Sequence, residues 1–118
     1  MSGYYSILQY MPDPERREAV NFGVMLLEKE TGQFSWILTR PIRRIQRFFP
    51  GTSEAYLNDL MTAFYNRICA EQVNDLDDLT HFAITRGGVV QCSEPQWVDF
   101  AHKDMPKVLQ RLLEDLVF

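Results

Sequence analysis

The chain predicts an α+β domain: an antiparallel sheet of about four strands, made of an N-terminal strand, a hairpin and one later strand, with helices packed on one face. Three observations carry this. Strand formers crowd the first third, apolar residues recur every three or four positions after Thr39, and one strand-like run returns before a final amphipathic helix. Strands grouped ahead of helices argue against a doubly wound parallel sheet, in which the two alternate throughout. At 118 residues, with 46% hydrophobic and 13% aromatic residues, residues 1–118 read as one domain with one core and no disordered tract.

Strand one is expected from Tyr4 to Met11, with Tyr5, Ile7 and Gln9 facing one way and Tyr4, Leu8 and Tyr10 the other, both faces covered. Pro12-Asp13-Pro14 should break the pairing, because proline donates no ladder hydrogen bond. Glu15-Arg16-Arg17-Glu18 then reads as a solvated loop or a single helical turn, and the chain re-enters the sheet at Asn21. Phe22–Leu27 and Gln33–Leu38 flank Glu30-Thr31-Gly32, a hairpin signal with glycine available for a positive φ.

After Thr39 the period becomes helical. Ile42, Ile45 and Phe49 share one side, Pro41 sits near the start where its missing N–H costs nothing, and Pro50-Gly51 stops the helix. Thr52 or Ser53 can cap the next helix, whose apolar face is Leu57, Leu60, Met61, Phe64 and Ile68, running to about Ala70. Asn74-Asp75-Leu76-Asp77-Asp78-Leu79 is an acidic turn or short helix, and Thr85-Arg86-Gly87-Gly88 is a turn launching the strand Val89–Cys92, which Glu94-Pro95 ends. Asp104 is placed to cap a last helix with Pro106 in its first turn. Met105, Val108, Leu109, Leu112, Leu113 and Leu116 form its apolar face.

Several function classes find little support. No apolar run approaches the roughly 18 residues of a membrane span, and Met1-Ser2-Gly3-Tyr4-Tyr5 has no leader character, so a cytoplasmic protein without membrane contact is expected. Cys69 and Cys92 stand far apart without a second ligand at zinc spacing and read as small packing residues. His81, read as a satisfied histidine at the core edge, and His102, read as solvent-facing, have no nucleophile or carboxylate beside them in sequence. Asp75, Asp77 and Asp78 lack the glycine and terminal glutamate of a calcium loop, and Gly87-Gly88 lacks the lysine of a phosphate loop. No catalytic residue, metal or cofactor is assigned.

Arg40, Arg43, Arg44 and Arg47 are the exception. In a chain of net charge −4 they fall on one stripe of a helix, where like charges repel unless acids or a ligand offset them. Three readings stay open: internal pairing with Glu28, Glu30 or the Asp75 to Asp78 run, or plain solvation; an acidic protein partner; and nucleic acid. Phe48 and Phe49 interleave with the stripe, and Phe49 has the phase of a core residue.

The stretch Tyr4 to Pro14, followed by Glu18-Ala19-Val20-Asn21-Phe22-Gly23-Val24, resembles the opening of a bacterial family catalogued as domain of unknown function three thousand and thirty-seven. Its core is a Glu-x-x-Asn-x-Gly-Val pattern, here Glu18, Asn21 and Gly23, and Ser93-Glu94-Pro95 fits the family's later strand. The resemblance implies an accessory or regulatory role beside HipA-like kinases of toxin–antitoxin systems, with a protein partner, including a kinase-like one, ahead of nucleic acid. Physically, Gly23 permits close backbone approach or a bulge, Asn21 can bond its neighbouring backbone, and Glu18 can pair with Arg16 or Arg17.

Overall fold

The computed structural model describes residues 2–13, 15–16, 18–84, 89–100 and 105–117. In chain order the elements are β1 (Ser2–Asp13), β2 (Glu18–Glu28), β3 (Phe34–Leu38), α1 (Pro41–Phe48), α2 (Glu54–Ala70), α3 (Leu76–Ile84), β4 (Val90–Cys92), β5 (Gln96–Asp99) and α4 (Met105–Leu116). The sheet is antiparallel throughout, in the order β3-β2-β1-β4, with β5 also on β1. The fold is therefore α+β as expected. Its fourth lane, however, holds two short strands: β4 pairs with Leu8–Tyr10 and β5 with Ser2–Tyr5.

Ser93 joins the two halves of that lane. Its N–H donates to the Ile7 carbonyl at 2.9 Å, its Oγ accepts the Ile7 N–H at 2.7 Å, and its carbonyl accepts the Ser6 hydroxyl at 2.6 Å. Ser6 is fully buried, which a hydroxyl tolerates when it has a partner. Glu94-Pro95 interrupts pairing as expected, yet the chain resumes as β5 at Gln96.

Helices cover both faces, not one. Leu8, Tyr10, Phe22, Met25 and Leu27 pack with Ile45, Leu57, Phe64 and Phe82 from α1, α2 and α3. Val24 and Leu26 pack with Val108, Leu109, Leu112 and Leu113 of α4 on the opposite side. The reason lies in β2: every residue from Phe22 to Glu28 is buried, the signature of a strand enclosed on both sides. Between Leu8 and Gln9 the register jumps from Gly23 to Asn21, leaving Phe22 as a bulge. One extra residue reverses the facing order, so Phe22 joins Met25 and Leu27 and meets the Phe64 ring edge-on at 6.2 Å.

Other boundaries also differ from the sequence reading. β1 continues through Pro12 to Asp13, and β2 begins at Glu18, paired with Asp13, so the expected break and re-entry at Asn21 lie inside the ladder. Both ends of that pairing are exposed, carrying strand geometry beyond the apolar core. Gly32 has φ 73°, as the β2–β3 turn demands. Ser53 caps α2, accepting the Tyr56 N–H at 3.3 Å. The acidic run is a helix start: Asp75 Oδ1 accepts the Asp78 N–H at 2.8 Å and Asp78 Oδ2 accepts the Asn74 N–H at 3.1 Å. Acids in that first turn suit the positive end of α3. Pro14, Arg17, the expected turn at 85–88, His102 and the Asp104 cap lie outside the described residues.

Candidate anion site at the arginine cluster

α1 lies against β2 through Ile45, which is fully buried, with Ile42 and Phe49 partly so. Phe49 packs edge-on against Tyr10 at 5.8 Å. The expected stripe needs one correction here, because Arg40 precedes the helix. It is left-handed, with φ 36° and ψ 58°, and its carbonyl accepts the Arg44 N–H at 3.0 Å. Pro41 disfavours right-handed geometry at the residue before it, and a non-glycine residue held at positive φ costs about 1–3 kcal/mol. No side chain caps the helix start. Thr39 precedes this corner, its N–H bonded to the Phe22 carbonyl at 2.9 Å.

Despite that kink, Arg40, Arg43, Arg44 and Arg47 converge with Thr39 around one cavity of about 420 Å³. Arg40, Arg43 and Arg47 are exposed and Arg44 is half-buried. Arg44 is the anchored member: its Nε–H donates to the Asn21 carbonyl at 2.8 Å and its Nη2 to the Val117 carbonyl at 2.6 Å. A cation at the carbonyl end of α4 also meets the negative pole of that helix. The sequence reading treated the four residues as equivalent, and tertiary packing makes one of them different.

Among the described residues no ion pair joins Arg40, Arg43 or Arg47 to Glu28, Glu30 or the Asp75 to Asp78 run, the acids expected to offset them. Glu30 instead accepts the Ser2 N–H and hydroxyl, both at 3.0 Å, and its carboxyl is held below the usual value, first by its own backbone N–H and then by Ser2. Glu28 is 2% exposed, and its Oε1 has no hydrogen-bond partner. Asp75 and Asp78 serve the start of α3. Among the described residues the ion pairs are Arg16–Asp13 at 3.8 Å and Arg111–Asp115 at 3.9 Å, neither of which touches the cluster.

The pattern residues Glu18, Asn21 and Gly23 do not form one site. Glu18 is exposed at the start of β2, and Arg16 pairs with Asp13 instead of with it. Asn21 bonds across the fold, not to neighbouring backbone: Oδ1 accepts from Gln9 Nε2 at 2.9 Å and Nδ2 donates to the Leu116 carbonyl at 3.3 Å. Gly23 permits close approach, since a Cβ there would stand 2.7 Å from the Ile37 carbonyl oxygen and 2.8 Å from Leu38 Cδ2. Asn21 and Arg44 together hold the last carbonyls of α4 against β2. Gln9 and those carbonyls gave no signal in sequence, because a main-chain oxygen looks alike at every position.

His81 is exposed on α3 and not at the core edge, and Cys69 is exposed on α2 instead of packed, because both lie on outward helix faces. Cys92 is half-buried beside a groove of about 440 Å³ that Tyr4, Thr80, Glu94 and Pro95 also line. Among the described residues no three His, Cys, Asp or Glu side chains gather as a metal site, and no helix is long and apolar enough to cross a membrane. Phe48, next to Arg47, is 60% exposed.

Compared with known proteins, residues 5–117 match the model of one family, described as Protein of unknown function (DUF3037). No curated protein and no solved structure matches the chain.

Proposed function

The chain belongs to this family of unknown function, and from the site itself we propose that it is a small non-catalytic interaction module that takes an acidic segment of a partner protein into the arginine cavity. One observation carries the reading: four guanidinium groups line one concavity, and among the described residues no ion pair joins the exposed Arg40, Arg43 or Arg47 to an acid. Arginine binds carboxylates through a two-pronged fork, so such a cavity selects acidic groups held in the right geometry. The role proposed is regulatory, in a cytoplasmic bacterial setting, with a HipA-like kinase of a toxin–antitoxin or defence system as the kind of partner proposed. The test is co-purification from the native host with wild type and with Arg43→Glu/Arg47→Glu, two exposed positions whose change is expected to leave the fold intact. Loss of the partner with an unchanged melting curve supports the reading; full retention of the partner refutes it.

The exposed Phe48 ring beside Arg47 favours one second reading, a nucleic-acid-binding accessory protein, because a base can stack on an exposed ring. If all four arginines neutralised phosphates of duplex DNA, log affinity would fall with log salt at a slope of about −3.6. Titration at two salt concentrations measures that slope.

A further inference from the structure

The cavity is built for more charge than a carboxylate brings. Arg44, which lines it, is fixed by two carbonyls, at 2.8 and 2.6 Å, so its position is set before any ligand arrives. Arg40, Arg43 and Arg47 surround it as exposed arms. At about 1.5 Å of rise per helical residue, the cluster from Arg40 to Arg47 covers only about 10 Å, within reach of one central group. A carboxylate offers one negative charge and two oxygens, which a single fork exhausts. A phosphate monoester carries about −1.5 to −2 and three acceptor oxygens pointing in different directions, so forks from successive turns can each engage one. No lysine occurs from residue 40 to 47, and it is the guanidinium, not the ammonium point charge, whose planar fork fits two phosphate oxygens at once.

We propose that the cavity recognises a phosphate monoester, carried as phosphoserine or phosphothreonine on the acidic segment of the partner. This deepens the acidic-segment reading and rests on it. Phosphate oxygens meet the exposed arms of Arg40, Arg43 and Arg47, and the anchored Arg44 lines the same cavity.

The test uses the full chain and three fluorescent peptides that differ only at the centre of a glutamate-flanked sequence: serine, aspartate or phosphoserine. Inorganic phosphate and oligothymidylate serve as further probes. The phosphoserine peptide is expected to bind at least tenfold more tightly than the aspartate peptide. Arg43→Gln/Arg47→Gln should abolish that binding, and Arg43→Lys/Arg47→Lys should remove most of the tenfold preference while the aspartate peptide hardly changes; circular dichroism confirms that each variant is folded. Equal binding of the aspartate and phosphoserine peptides would overturn the phosphate inference and leave the acidic-segment reading in place. Inorganic phosphate binding as tightly as the phosphopeptide would overturn recognition of a segment in favour of the free ion. Binding of oligothymidylate alone, or of no probe, would overturn both readings.

Discussion

At Gly23 a hydrogen atom is the whole side chain, and three neighbours use the space: the Ile37 carbonyl, Leu38 and Leu8. Gly23→Ala should lower stability by about 1–3 kcal/mol, the usual cost of overpacking, visible as a lower urea midpoint. Arg44 and Arg43 are one position apart and make a matched pair of tests. Arg44→Gln removes two hydrogen bonds from a charged donor and should cost about 1.5–3 kcal/mol, while Arg43→Gln, exposed, should stay within about 0.5 kcal/mol of wild type. Equal melting temperatures for the two would refute the anchoring role of Arg44. Tyr10 gives a pH signature. Burial, and then the nearby Tyr56 phenol, raise its pKa above the usual 10.0. The folded state then keeps this proton to higher pH than the unfolded chain does, so the associated stability is complete below about pH 10 and is lost as pH rises through the folded value. Urea midpoints at pH 9 and pH 11 should fall less in Tyr10→Phe than in wild type.

Elements differ in how legible they are in the sequence. α2 was legible because its cap and apolar period agree, and Ser53, Leu57, Met61, Phe64 and Ile68 act as that pattern says. β5 was not, since Gln96-Trp97-Val98-Asp99 is too short for a period and is a strand only because β1 offers an open edge. α3 extends to Ile84, past the acidic start that was recognisable, because Leu79 and Phe82 find a core to enter. Of the arginine site, residue type and spacing were legible. The left-handed Arg40 and the carbonyl anchors of Arg44 were not, as both depend on where β2 and α4 meet. Among the described residues, α4 is the helix whose apolar side chains enter the Val24–Leu26 cluster, and Leu112 is 8% exposed within it. Leu112→Ala should cost about 2–5 kcal/mol. An unchanged urea midpoint would mean that α4 adds nothing to the fold.

On the scale of the whole molecule, the sheet lies between α4 on one side and α1 to α3 on the other, where the sequence reading put helices on one face alone; the unbroken apolar run in β2 is what needs both covers. One of its two inner strands is β1, which precedes the other elements in the chain, so a ribosome releases it long before all its partners. The β1–β2 hairpin can close as soon as Glu28 has emerged, but the other edge of β1 waits for partners some 87 residues further along, as the Ser6–Ser93 bond illustrates. Until then a long strand displays unpaired N–H and C=O groups, a template for any neighbouring nascent chain. Contacts of such long sequence separation also slow folding. Chains halted after residue 84 should therefore sediment as aggregates, whereas chains carried through to Val117, with β4, β5 and α4 in place, should remain in the supernatant. Slower synthesis across the second half of the message should accordingly lower the soluble fraction, which a comparison of fast-codon and slow-codon messages measures.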